Sequence, residues 1–219
     1  MTRGILWDMD GVLADTAEAH YHAWSALLRK YGRTLTREQF DDTFGMANTA
    51  ILQRWFGQDT PIETILSLAD EKERAFRATI AEHVRLGPGV REWLARLREL
   101  GYRQAVASSG DMANIVAILT HHDVGNYFDA IVSGAMLPRS KPDPAVFLQA
   151  AGALGVEPAR CLVIEDGIVG VEAACRAGMP CLALTTTHPA ERLAGADLIA
   201  ADMAEVDEEA LMCLFERER

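Results

Sequence analysis

Apolar and polar positions follow two different periods along this chain, and the change between them divides the sequence. Gly4-Ile5-Leu6-Trp7 is a short continuous apolar run that stops at Asp8, the pattern of a buried strand. From there to about residue 85 the spacing is helical. Residues 16–31 repeat apolar positions at Trp24, Leu27, Leu28 and Tyr31 and end at Gly32. Thr36-Arg37-Glu38-Gln39 and Thr60-Pro61-Ile62-Glu63 each have the form of a capping box, in which two side chains satisfy free N–H groups of the first turn. Pro61 suits a first helical position. Asn48 is placed to cap a helix over 49–56 that Gly57 stops, and a long helix is predicted from Pro61 to about His83. Residues 16–85 therefore read as helices without a strand, with Tyr21, Trp24, Phe40, Phe44, Trp55 and Phe56 as their shared core.

From Gly87-Pro88-Gly89 onward the pattern alternates. Val90, Trp93, Leu94, Leu97 and Leu100 mark an amphipathic helix closed by Gly101. Strands are then predicted over 103–107, 130–133, 161–164 and 181–184, and helices over 111–122, 144–154 and 168–177. Residues 197–200 add an edge strand, and 207–216 a closing helix. Short strands alternating with helices predict an α/β fold, a Rossmann-like parallel sheet with helices on both faces. The expected organisation is an α/β core from residues 1–15 and 86–219, with a small all-helical domain, 16–85, inserted after the first strand.

Composition narrows the function. The 219 residues are 49% hydrophobic and 24% charged, as in an ordinary globular protein. A net charge of −11 argues against nucleic acid or an anionic membrane as partner, since both demand a basic surface. An anionic substrate would need local cations, because the global field repels it. Cys161, Cys175, Cys181 and Cys213 show no Cys-x-x-Cys spacing and have apolar neighbours, so buried reduced thiols and a cytoplasmic location are expected. Asp8 interrupts the only candidate for a signal segment, and no stretch is apolar long enough to span a bilayer.

The candidate chemistry begins where the first strand ends. Asp8 and Asp10 flank one residue, in a turn that Gly11 accommodates. Two carboxylates this close repel unless a cation or a shared proton compensates them. A hard cation such as Mg²⁺ takes oxygen ligands, often one or two carboxylates plus a substrate phosphate. By itself Asp-x-Asp-Gly is also an ordinary polar turn. Ser108 follows a second strand, Lys141 lies in Ser140-Lys141-Pro142-Asp143-Pro144, and Glu165-Asp166-Gly167 follows a later strand. Taken singly, these read as a helix cap, a surface lysine and a turn. Open α/β sheets, however, bind ligands outside the carboxyl ends of their strands, and all four segments fall at or beyond such ends.

The ordered set Asp8-Met9-Asp10-Gly11-Val12, Ser108, Lys141 and Glu165-Asp166-Gly167 resembles the haloacid dehalogenase superfamily of phosphotransferases. The opening block is similar to its branch of β-phosphoglucomutase and small-molecule phosphatases. The resemblance implies a central first strand and a helical cap domain covering the site. It implies a Mg²⁺-dependent phosphatase acting on a small phosphorylated metabolite, a sugar phosphate or similar monophosphate, through an aspartyl-phosphate. The alternative is a β-phosphoglucomutase-like sugar phosphomutase.

Carried over residue by residue, Asp8 is the nucleophile and Asp10 the acid–base group. Asp8, Asp10 (through its backbone carbonyl), Asp166 and Glu165 are the metal set, and Ser108 and Lys141 hold the phosphoryl group. Thr16, His20, Asn48 and Lys72 match cap positions that meet the substrate. An unperturbed Asp8, with a pKa near about 3.9, would already be ionised. Position 48 is a departure, because the mutase has an arginine there and Asn48 lacks its bidentate fork. Gly110 and Met112 likewise offer no polar contact after Ser108. Both departures favour hydrolysis, and a monomer is expected.

Overall fold

The apolar run that opens the chain is the strand β1 (Gly4–Trp7), buried along its whole length in the computed structural model, which describes residues 2–44 and 46–216. A two-residue strand, β2 (Ala14–Asp15), precedes four helices, α1 (Ala17–Lys30), α2 (Arg37–Asp41), α3 (Asn48–Phe56) and α4 (Ile62–His83). After β3 (Arg85–Leu86) the elements alternate: α5 (Val90–Glu99), β4 (Arg103–Ser108), α6 (Met112–His121), β5 (Ala130–Ser133), α7 (Ala145–Leu154), β6 (Cys161–Glu165), α8 (Ile168–Arg176) and β7 (Cys181–Leu184). The chain closes with β8 (Leu198–Ala200) and α9 (Glu208–Cys213). No described helix is long and apolar enough to cross a membrane.

Six strands form a parallel sheet in the order β5-β4-β1-β6-β7-β8. The order runs outward from β1 in both directions, so the connectivity reverses beside β1. Such a reversal opens a crevice at the carboxyl ends of the flanking strands. One face of the sheet is covered by α7, whose Val146, Phe147, Ala150, Ala151 and Leu154 are buried against Leu6, Ala105, Ala107 and Val163. The alanines leave room for close helix–strand approach, and the large residues fill what remains. Trp7 is fully buried, and its indole N–H donates to Gln104 Oε1 at 3.0 Å. The Gln104 amide in turn donates to Leu94 O at 2.9 Å, so this buried polar chain is satisfied.

The described residues fall into two compact units, Met1–Asp15 with Arg85–Arg219, and Thr16–Val84. Arg85, placed above as the last residue of the inserted helical domain, belongs to the first unit because its backbone pairs with Asp15 in the antiparallel β2–β3 ladder. That ladder is two residues long, too short to show a period of two, so the pattern did not reveal it. In the helical unit Trp24, Leu27, Leu28, Phe40, Ile51, Leu52, Ile65 and Leu68 form the core, with Tyr21, Phe44, Trp55 and Phe56 packed against it.

Three local expectations are corrected. The capping box at Thr36 and Gln39 forms in both directions, but the one at Thr60 does not. There α4 begins at Ile62 and Pro61 is the residue before it, which leaves Thr60 one position too far out. Asn48 is not a cap either: α3 starts at Asn48 itself after an extended Ala47, and the Asn48 amide donates to Glu73. Finally, Cys161 and Cys181 are buried, but Cys175 and Cys213 are exposed. Cys175 shares the outward face of α8 with Glu172, one helical turn before it, and with its neighbour Arg176, all three exposed.

Candidate active site

The end of β1 positions the first candidate residue. Asp8 N–H donates to Ile164 O at 3.0 Å, which continues the sheet pairing one residue past the strand and fixes the Asp8 backbone. The chain then turns: Gly11 N–H donates to Ala14 O at 2.8 Å, and Gly11 has φ of +78°. A side chain is impossible there, because a Cβ on Gly11 would fall 1.9 Å from Asp166 Oδ2. The glycine thus lets the turn after β1 close against the turn after β6.

At the end of β6, Glu165 Oε2 accepts the N–H groups of Asp166 at 2.8 Å and Gly167 at 2.7 Å. Its carboxylate occupies the start of α8, where negative charge is favoured by the exposed N–H groups and the helix dipole. Gly170 makes the room: a Cβ there would lie 1.8 Å from Glu165 Oε1. Lys141 Nζ donates to Asp8 Oδ1 at 2.6 Å and also to Glu165 Oε1.

Asp8, Glu165 and Asp166 are buried, and each offers an oxygen within 4.8 Å of the others, the metal-competent group found among the described residues. Three carboxylates here face one ammonium. Burial, with Glu165 and Asp10 adding to it, outweighs Lys141 and pushes Asp8 up to about 7. Asp8 therefore does not keep the ordinary carboxylate pKa assumed above, since burial removes the solvation that an exposed aspartate has. Burial, Glu165 and Asp8 likewise raise Asp166 well above the usual carboxylate range, opposed by the Thr187 hydroxyl. Burial works against the Lys141 charge, but Asp8 and Glu165 outweigh it and hold the ammonium above the ordinary lysine range. An all-oxygen donor set with excess negative charge fits a hard divalent cation such as Mg²⁺.

Ser108 is the last residue of β4 rather than the residue after it, and is buried. Its Oγ accepts Gly110 N–H at 3.0 Å, while Ser133 Oγ donates to Gly110 O at 2.6 Å, so this turn is held from two strands. Asp10 lies on this side: a Cβ on Gly110 would come 3.2 Å from Ser108 Oγ and 3.8 Å from Asp10 Oδ2. The Asp10 carboxylate is not one of the three in the acidic group. Asp8, Asp10, Ser108, Lys141, Glu165 and Asp166 are thus gathered at one sheet edge. Sequence reasoning overlooked two more residues there. Thr187 Oγ1 donates to Asp166 Oδ2, and Thr186 Oγ1 lies 2.6 Å from Gly11 O. The available signal was position: Thr185-Thr186-Thr187 directly follows the apolar strand β7.

The helical unit holds the other four. Thr16 is the buried residue before α1, makes no side-chain cap, and its carbonyl accepts His20 N–H at 3.0 Å. Lys72 is only 1% exposed, lies over Trp24, and has its Nζ 2.8 Å from His20 Nδ1 and 2.8 Å from Glu73 Oε1. Asn48 reaches the same Glu73 oxygen. Lys72 and Asn48 therefore meet at Glu73, a residue that the sequence did not single out, and His20 joins them through Lys72. Gly45 lies outside the described residues.

Comparison with known proteins agrees with this geometry. The model of the haloacid dehalogenase-like hydrolase family matches residues 5–184. Validoxylamine A 7′-phosphate phosphatase of Streptomyces hygroscopicus subsp. limoneus is 30% identical over 217 residues, covering 94% of this chain and 96% of that protein. β-Phosphoglucomutase of Bacillus subtilis (strain 168) is 30% identical over 216 residues, covering 95% and 93%. Among solved structures, CbbY from Rhodobacter sphaeroides in complex with phosphate matches with a TM-score of 0.87 at 28% identity, over 97% of this chain and 100% of that one. The chain belongs to the haloacid dehalogenase-like hydrolase family.

Proposed function

We propose that this family member is a phosphatase that releases inorganic phosphate from a small phosphorylated metabolite, a sugar phosphate or similar monophosphate, through an aspartyl-phosphate on Asp8. The observation that carries the reading is the meeting of the Lys141 ammonium with Asp8, Glu165 and Asp166 beside the reversal of strand order. The phosphatase relative and the phosphate complex of CbbY support the same substrate chemistry.

The Asp8 carboxylate attacks phosphorus as the bond from phosphorus to the ester oxygen breaks. Asp10 gives its proton to that departing oxygen, and correctly placed acid–base groups typically contribute about 10²–10⁴-fold. A water then loses a proton to Asp10 and attacks the phosphorus, which releases phosphate and restores Asp8. Ser108 donates its hydroxyl proton to a phosphoryl oxygen, and Lys141 sets a compact positive charge beside it. Asp8, Asp166 and Glu165, with the Asp10 carbonyl, would hold Mg²⁺, which supplies further positive charge opposite the phosphoryl oxygens. The helical unit, with Thr16, His20, Asn48 and Lys72, is proposed as the substrate-selecting cap. Its polar residues are tied to one another rather than arranged as a second anion clamp, which favours water as the acceptor.

The test is phosphate release by the purified enzyme with Mg²⁺ across sugar phosphates, nucleoside monophosphates and phosphoglycolate. Hydrolysis of at least one sugar-sized monophosphate is expected, and Asp8→Asn should be folded but inactive. Full turnover by Asp8→Asn, or in excess chelator, would overturn the mechanism.

A further inference from the structure

The Asp166 carboxylate is buried, yet the protein closes around one of its oxygens from two loops. The Gly11 turn after β1 approaches so near that a Cβ would fall 1.9 Å from Asp166 Oδ2 and 3.0 Å from Thr187 Oγ1. From the other side come Thr187 Oγ1, hydrogen-bonded to Oδ2, and Thr186 Oγ1 at 3.4 Å from it. A hydroxyl carries a single proton. The shorter contact of Thr186 is with Gly11 O at 2.6 Å, so its proton goes to that carbonyl. Thr187 is then the hydroxyl donor to Asp166. The two threonines divide the work: Thr186 ties the β7 loop to the β1 turn, and Thr187 holds the carboxylate between them.

The base of this loop is well anchored. Thr185 N–H donates to Ala200 O at 2.9 Å, which continues the β7–β8 ladder one residue past β7. The loop needs such an anchor, because Asp166 shares its space with Asp8 and Glu165. Three carboxylates at this separation repel one another, and an aspartate with a free carboxylate can relieve the repulsion by rotating about its last side-chain bond. A hydroxyl on Oδ2 opposes that rotation without adding charge.

We infer that Thr187 is a positioning residue, whose hydroxyl holds the Asp166 carboxylate in the orientation in which the acidic group takes a divalent cation. The inference rests on the cation site proposed above. Partners that orient a metal ligand are typically worth about 10–100-fold in metal affinity. Thr187 is itself exposed, so its removal should leave the cation-free fold intact. The hydroxyl acts through Asp166 and makes no bond to substrate, so its effect should appear in cation binding before any substrate is added.

The experiment titrates Mg²⁺, and separately Mn²⁺, into the substrate-free full-length enzyme by calorimetry. Wild type is compared with Thr187→Val, which keeps the shape, Thr187→Ala, and Thr187→Ser, which keeps the hydroxyl. Thermal midpoints in chelator are measured in parallel. The expected result is cation affinity weakened roughly 10–100-fold in the valine and alanine variants, near wild type in the serine variant, with chelated midpoints unchanged. Should the valine variant fail to fold, the alanine and serine pair carries the same comparison. Wild-type affinity in Thr187→Ala, or equal losses in alanine and serine, would overturn the positioning role and leave the cation site standing. A wild-type enzyme that takes up neither ion would overturn both.

Discussion

Lys141 Nζ lies 2.6 Å from Asp8 Oδ1, across 133 positions of sequence, in a side chain only 6% exposed. Its second partner, Glu165, is equally buried. Lys141→Ala would therefore leave two buried carboxylates facing each other without a cation. Removing one partner of a buried pair typically costs about 3–5 kcal/mol, and losing a charge-stabilising contact in the transition state about 2.7–4 kcal/mol of barrier. Urea unfolding should show the first loss and kcat/KM the second, about 100–1000-fold. Added Mg²⁺ should restore part of the stability and little of the rate. A variant as stable as wild type in chelator would show that the pairing carries no net stabilisation.

A second prediction concerns the buried polar pairing in the sheet's core. Trp7 N–H and Leu94 O are both satisfied by Gln104, itself wholly buried. Gln104→Leu keeps the volume but orphans a donor and an acceptor, each worth about 1–3 kcal/mol when buried unpaired. Stability should fall by roughly 2–6 kcal/mol on that basis, while the substrate KM of the folded enzyme stays unchanged, because Gln104 touches no proposed site residue. Chemical denaturation and steady-state kinetics read the two effects separately.

The thiols supply a pH-dependent prediction. Burial pushes Cys161 up to about 12 from an ordinary 9.0. At pH 8 it is a protonated thiol, whereas the reactive species is the thiolate. Iodoacetamide at pH 8 should label Cys175 and Cys213, which are exposed, and spare Cys161 until the protein is unfolded. The same shift has a sign for stability. The unfolded thiol ionises near 9 and the folded one near 12, so folded-state stability is fully present below 9 and is lost as pH rises toward 12. Mass spectrometry of labelled peptides checks the first statement. Replacing Cys161 by Ala should flatten the alkaline loss.

How far the sequence reveals this molecule depends on the length of each signal. The strands that end at the site are short apolar runs broken by a polar residue, so the pattern alone puts Asp8, Ser108 and Asp166 at one edge. The central place of β1 came from the family resemblance, since periodicity says nothing of strand order. The β2–β3 ladder was invisible because two residues carry no period. Thr187 was invisible because a run of threonines after a strand reads as an ordinary turn. Glu73 sits next to Lys72 on a helix, where an adjacent acid and base usually mark a solvated face. Only the fold shows that Lys72 is almost wholly buried and that Glu73 gathers Asn48 as well.

The last prediction separates a phosphatase from a mutase. A mutase must hold a bisphosphate, let it turn over, and keep water from the aspartyl-phosphate throughout. That requires a second strong anion site, and a planar guanidinium is the group best suited to it. Position 48 carries an amide, and that amide is already bonded to Glu73. Two helical-unit arginines that could substitute are also engaged, Arg54 with Asp42 at 3.8 Å and Arg74 with Asp70 at 2.9 Å, both on exposed surface. Exposed pairs of this kind are weak, about 0–1 kcal/mol, so a phosphate could compete for either arginine, but neither is held as a preformed clamp. Lys72 is buried beside its own counter-ion, Glu73, which lowers its attraction for a second phosphate. Given β-glucose 1-phosphate with a trace of the 1,6-bisphosphate, the enzyme should therefore release phosphate and accumulate little glucose 6-phosphate. Phosphorus NMR follows all three species in one sample. Rapid conversion to glucose 6-phosphate with little free phosphate would reverse the assignment, and Arg54→Ala and Arg74→Ala would then show which arginine leaves its carboxylate to hold the second phosphate.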